Sequence, residues 1–304
     1  MNAMPHPSLV VEIAPAHVAV AGWSKSGRNL ENYAVEPLPV GAVMASPVDA
    51  NVVQPEAVKA ALRKALGRVP IRGGAPVALL IPDPVVRVFI LPFETFPRRT
   101  DEALGMLRWR LKKSVPFDVD ETAVSWMRQI GKDGALEIVA AVARQRIVRE
   151  YEEVLASFET NAGVVLSSTL TTLPLLEDEG ATLLVRMSGK TMITVITQRG
   201  GLSVYRSTEM AAEAGALDPQ AMLDEIFPAI AYFQDTFDVT PDRARMAGFG
   251  SRSGVFRQAL SAELKCPIAP LSESAIALTL DESSKDLMNQ DLDALVGWAL
   301  NGAS

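Results

Sequence analysis

Apolar and polar positions alternate along this chain in two periods. Residues 9–13 and 17–23 are short apolar runs separated by Ala14-Pro15-Ala16, which predicts two strands joined by a tight turn. Residues 29–36 predict a third strand. Apolar residues at helical spacing predict a helix over 54–66, stopped at Gly67, and the unbroken run 77–81 predicts a buried strand ended by Pro82. A further strand is expected over 85–91. Residues 100–113 then read as a helix, with Thr100 as its N-cap, Asp101 and Glu102 in the first turn and Lys112 and Lys113 in the last. Leu104, Leu107 and Leu111 form one stripe of that helix, and Trp109 projects away from it. Residues 122–130 and 136–142 predict a hairpin across Gly131–Gly134.

The second part repeats the theme. A helix is expected over 145–160, a strand over 164–166 and a helical turn over 170–176. A three-strand meander follows over 183–187, 191–197 and 202–207. Then come a helix over 226–236 with Pro228 in its opening turn, a strand over 244–247, a glycine-bearing turn, a helix to 264 and a closing helix over 292–300. Each half opens with a meander and continues with helices that can cover a sheet. The helix and hairpin at 85–142 form a unit too small for an ordinary domain and read as an insertion.

Composition narrows the function classes. The chain has 304 residues, with 29 Lys and Arg against 36 Asp and Glu, a formal charge of −7. Nucleic-acid binders draw most of their affinity from a basic excess, so that class is disfavoured. Cys266 is the one cysteine and His6 and His17 the only imidazoles, which leaves no disulfide, metal cluster or Ser-His-Asp set to expect. No signal peptide or run of membrane-spanning length is read, so the expectation is a soluble cytoplasmic protein.

The run Ile90-Leu-Pro-Phe93 … Asp101-Glu-Ala-Leu-Gly-Met-Leu-Arg-Trp-Arg-Leu-Lys-Lys-Ser-Val-Pro-Phe117 resembles the signature of the PilM family, the actin-like type IV pilus assembly proteins. The strand-Gly-x-Gly-helix segment at 246–260 and the Gly297 helix fit the same pattern. The resemblance implies an α/β, actin-like (ASKHA) two-lobed fold with an inserted small α+β subdomain and a reduced second-lobe lid. Residues 8–84 and 143–176 would form the first lobe, 85–142 the insert and 177–304 the second lobe. It implies a cytosolic scaffold at the inner membrane, binding the N-terminal peptide of a PilN-like membrane protein in a groove beside the insert. Similar domains occur in GspL proteins of type II secretion. Arg108, Trp109, Lys112, Pro116 and Phe117 are the candidate partner-binding residues; for each, packing or a solvated helix face is the alternative reading.

Actin-like nucleotide sites use two Asp-x-Gly turns, one per lobe. Here the first matches Glu12-Ile13-Ala14-Pro15, which keeps a carboxylate but offers no N–H at Pro15. The second matches Arg186-Met187-Ser188-Gly189, with a cation in place of the acid. Gly248-Phe249-Gly250 resembles the turn facing adenosine, although a plain strand-to-helix glycine turn explains it as well. The stretch 208–225 is too short for a lid over the base. Glu12, Ser188, Gly189, Gly248 and Gly250 are therefore expected to be at most a vestigial cofactor site, with no catalytic residue and no resident metal, and with ATP and magnesium disfavoured. The alternative is an actin-like ATPase whose degenerate site still works, with Glu12 organising the metal; a nucleotide-driven filament is a third reading.

Overall fold

The computed structural model describes residues 7–24, 29–69 and 76–301. His6 lies outside them. The first half runs β1 (Leu9–Ile13), β2 (His17–Trp23), β3 (Leu30–Pro37), α1 (Pro55–Leu66) and β4 (Val77–Ile81). The insert follows: β5 (Arg87–Phe93), α2 (Thr100–Leu111), β6 (Thr122–Ile130) and β7 (Leu136–Arg144). α3 (Gln145–Ala156), β8 (Ala162–Ser167) and the short α4 (Ser168–Thr172) close that half. The second half runs β9 (Ala181–Ser188), β10 (Thr191–Gln198), β11 (Gly201–Glu209), α5 (Pro219–Phe237), β12 (Arg243–Ala247), α6 (Ser253–Glu263) and β13 (Ile268–Pro270). α7 (Glu282–Asn289) and α8 (Asp293–Asn301) complete the chain.

The duplication read from the sequence is a duplication of topology. One sheet has the order β3-β2-β1-β4-β8 and the other β11-β10-β9-β12-β13. In each, an antiparallel meander leads and two parallel strands follow. β1, β4, β9 and β10 are almost wholly buried, because helices or the opposite lobe cover both sheet faces, and so they read as unbroken apolar runs. α1 and α3 pack on the outer face of the first sheet, and α5 and α6 on that of the second. Between the sheets a third apolar cluster joins Val10, Ala78 and Leu80 to Leu184, Ile193 and α8. The insert has its own core, in which Leu107 and Leu111 of α2 pack against Ile138, Ala140 and Val142 of its sheet β5-β7-β6. It is spliced between β4 and α3, where the second half has only the turn from Gly248 to Arg252 between β12 and α6.

Several expectations need correction. Thr100 is the first residue of α2 rather than its cap; Arg99 holds the cap position and makes no side-chain cap bond. The helix expected over 226–236 starts at Pro219, with Asp218 as an N-cap accepting from the Gln220 N–H, so Pro228 lies well inside it. β13 and α7 were not foreseen. α8, at the end of the 177–304 segment, packs against α4, β1 and β2 of the first half as well as against α7. Only residues 210–218 separate β11 from α5, so the second-lobe lid is indeed reduced.

Candidate functional site

Two places combine unusual chemistry with access: the junction of the lobes and the groove beside the insert. At the junction, β1 delivers Glu12, the turn after β4 delivers Asp83, the end of β9 delivers Arg186 and the start of α8 delivers Asp293. All four are at most 4% exposed. Arg186 Nε donates to Asp293 Oδ2 at 2.9 Å, and Nη1 lies 3.3 Å from Asp83 Oδ2. Asp83 also accepts from the Thr169 amide at 2.9 Å and the Thr169 hydroxyl at 2.7 Å, and the Tyr205 hydroxyl donates to its Oδ1 at 3.4 Å. Glu12 Oε1 accepts from the Ser168 hydroxyl at 2.5 Å, while its Oε2 stands 3.6 Å from His17 Nε2.

This crowding moves the titrations apart. Burial pushes the Glu12 carboxyl up, but His17, the Arg186 charge and the Ser168 hydroxyl outweigh it and hold it below the ordinary carboxylate value. For Asp293 burial prevails over the attraction of Arg186, Glu12 and Asp291 add repulsion, and the carboxyl is raised. Burial works against the Arg186 charge, yet Asp293, Asp83 and Glu12 overcome it and raise its pKa. Burial and Asp83 together raise the Tyr205 phenol.

At the residues matched to a nucleotide site, two of the backbone donors are already engaged. The Ala14 N–H donates to the His17 carbonyl at 2.9 Å, and Pro15 has none to offer. The Gly248 N–H donates to Asp291 Oδ1 at 3.0 Å. Gly248 has φ +78°, and a Cβ there would stand 1.9 Å from the Met187 carbonyl oxygen, so close packing against β9 requires the glycine. Gly189 and Gly250 take positive φ in open turns, and Ser188 pairs with Thr191 across the β9–β10 hairpin. The cleft beside Gly248 and Gly250 has a volume of about 200 Å³, below the range of roughly 300–1,000 Å³ usual for ligand pockets, and Asp291 and Asp293 line it.

The second place lies between β6, an edge strand of the insert, and β8, the edge of the first sheet. Its cavity of about 140 Å³ is lined by Ala123 and Ser125 of β6, Ala141 and Ala143 of β7, and Val165 and Leu166 of β8, among other aliphatic residues. In the three-stranded sheet β6 pairs only with β7, so its other backbone edge has no strand partner among the described residues, and the paired Ala123–Ala143 and Ser125–Ala141 positions line the cavity. The insert is braced from the far side. The Gln129 side chain both donates to and accepts from the Leu202 backbone, at 2.7 and 3.0 Å, and Lys132 Nζ donates to the Thr236 carbonyl.

The five residues singled out near α2 do not line the groove. Arg108 Nη2 donates to the Thr122 carbonyl at the start of β6. Trp109 is 76% exposed, Lys112 and Pro116 are exposed, and Phe117 packs on the insert's core. The strand alternation explains this: Ile138, Ala140 and Val142 turn toward α2, whereas Ala141 and Ala143 pack toward the first lobe. Nothing in the helix pattern reveals the opposite face; only the small residues at alternate β7 positions hint at it.

No family model matches the chain, and no curated protein sequence does either. Solved structures do match. The PilM-PilN type IV pilus biogenesis complex contains a chain that is 16% identical, with a TM-score of 0.78, over 99% of this chain and 100% of that one. A Bacteroides thetaiotaomicron protein with actin-like ATPase fold and unknown function is 11% identical, with a TM-score of 0.54, over 90% and 94% of the two chains. The cytoplasmic domain of EpsL, an inner membrane component of the type II secretion system of Vibrio cholerae, overlaps more loosely, with a TM-score of 0.48 at 14% identity over 79% and 81%. The first two likenesses and the duplicated sheets show an α/β, two-lobed actin-like fold.

Proposed function

We propose that this chain is a docking scaffold of a type IV pilus, or of a related secretion assembly, and that it seats the cytoplasmic N-terminal peptide of a PilN-like inner-membrane protein. The observation that carries the reading is the groove between the edge strands β6 and β8. An extended peptide adds to a free strand edge through its backbone, and pockets along the edge select its alternate side chains. The lining of Ala123, Ala141, Ala143, Val165 and Leu166 suits small or branched aliphatic side chains, and about 140 Å³ is too little for a run of aromatics. The whole-length likeness to a chain of the PilM-PilN complex supports the same role. Among the described residues no helix is long and apolar enough to cross a membrane, which agrees with a cytoplasmic protein held at the inner membrane through its partner.

The test is fluorescence anisotropy with the labelled N-terminal peptide of the PilN-like protein from the same genome. Saturable binding by the full chain, lost in the groove-filling variant Ser125→Trp, is the expected result. Equal binding by wild type and that variant would reject the groove, and absence of binding by wild type would reject the partner.

A further inference from the structure

The lobes of this protein meet through a cation of its own. Arg186 belongs to the second sheet, Asp83 to the first lobe, and Asp293 to the helix that returns between them. The resemblance to actin-like proteins places a metal-bound phosphate chain at such a junction. We propose that the Asp83–Arg186–Asp293 clasp is an internal substitute for bound nucleotide: it keeps the lobes together at all times and excludes nucleoside phosphates from the cleft. This is independent of the docking reading, because clasp and groove share no residue.

Three features argue for exclusion. The donors that phosphate oxygens would use are already spent, the Ala14 N–H on His17, the Gly248 N–H on Asp291 and the Arg186 guanidinium on two carboxylates. Charge is adverse as well. Glu12, Asp83 and Asp293 outnumber the one buried guanidinium, and Asp293 Oδ1 is buried without a hydrogen-bond partner beside the cleft. An entering anion would meet carboxylates in a low-dielectric site, where like charges are costly. Space is short too, since the Gly248 turn abuts the Met187 carbonyl and the cleft lacks the volume for a nucleotide.

Permanent closure follows from the geometry of the guanidinium. It is planar, always charged and two-armed, so it binds both acids in one fixed arrangement, whereas a diffusible ligand would leave them. The continuous apolar cluster between the two sheets reinforces the same closed state.

The full chain tests both parts. Its thermal midpoint is measured alone and with Mg-ATP or Mg-ADP at about 5 mM, a concentration at which a ligand bound at about 50 μM would raise it by several degrees. No shift is expected; a rise beyond about 3 °C overturns exclusion. Hydrogen exchange of Arg186→Met is then compared with wild type. Exchange in β9 and α8 is expected to quicken by at least about tenfold, with β6 and β7 unchanged. Unchanged exchange in β9 and α8 overturns the clasp. Arg186→Lys, which keeps the charge but not the two-armed plane, gives the same readout with less disturbance and is expected to fall between the two.

Discussion

Gly297 on α8 and Thr171 on α4 touch backbone to backbone. A Cβ at Gly297 would stand 2.0 Å from the Thr171 carbonyl oxygen and 2.9 Å from the Thr172 Cα. The closing helix thereby sits against α4 deeply enough to present Asp293, four residues earlier, to Arg186. Position in the fold, rather than any local signature, makes this glycine necessary.

Replacing Gly297 with alanine should therefore reverse the usual sign. Inside a helix the change ordinarily stabilises by about 0.5–1 kcal/mol. Here the added methyl meets backbone that cannot swing aside, and a loss of about 1–3 kcal/mol is expected. Gly105 is the control, as it lies on the exposed side of α2 with nothing within 4 Å of a built Cβ. Urea unfolding of Gly297→Ala and Gly105→Ala should move the midpoint in opposite directions.

Two of the buried carboxylates around Arg186, Glu12 and Asp293, should titrate with opposite consequences for stability. Glu12 is held below its ordinary value of 4.5, so its contribution is present above that pH and is lost as acid takes the pH through the lower, folded value. Glu12→Gln should thus cost about 1–2 kcal/mol at pH 7, with the difference shrinking as the pH falls below 4.5. Asp293 is raised above 3.8, so the folded state is penalised as pH climbs from 3.8 through the raised value, and the full penalty remains above it. Asp293→Asn keeps an acceptor for Arg186 and should be no less stable than wild type at pH 8, with the gain shrinking toward pH 4. Thermal midpoints of both variants from about pH 3 to pH 8 check the pair of signs.

The strands of both lobes were legible because buried central strands leave continuous apolar runs, as at Val77–Ile81 and Thr191–Gln198. β13 escaped because it is three residues long and ends in proline, and α7 because its exposed side leaves mainly polar residues to read. At the lobe junction, Glu12 and Arg186 could be located from the positions of the two turns. Asp83 and Asp293 could not, since they read as an Asp-Pro turn and a helix start. Arg186 reaches them across 103 and 107 residues of sequence, a pairing that only the folded chain makes. A partner groove was expected beside the insert near α2; the cavity found beside the insert has a lining that faces away from that helix.

Gly248 separates a packing role from a ligand role. Both its positive φ and the Met187 carbonyl forbid a side chain. Gly248→Ala is expected to destabilise by about 2–4 kcal/mol, since strain and overlap add at one site. Gly250 has φ +50° but open space around it, so Gly250→Ala pays for backbone strain alone, about 1 kcal/mol. Denaturant midpoints that rank the two alike would show that β9 yields to the methyl, and would weaken the view of a jammed turn.

Trp109 and Ser125 finally divide the docking question between two faces of the insert. Trp109 is exposed on α2 and supports no core, so Trp109→Ala should change stability by less than about 0.5 kcal/mol. If the peptide lies along β6, the same variant leaves peptide affinity within about twofold, because α2 covers the other face of the sheet. Ser125 is exposed on β6 and lines the groove, so Ser125→Trp fills the cavity without disturbing the core and should weaken binding by more than about tenfold. Val124→Pro removes a backbone N–H from the unpaired side of the same strand and should weaken binding in parallel, provided β-augmentation holds the peptide. The reverse ranking, with Trp109→Ala damaging and Ser125→Trp silent, would move the docking surface to α2 and to Arg108 and Lys112 beside Trp109.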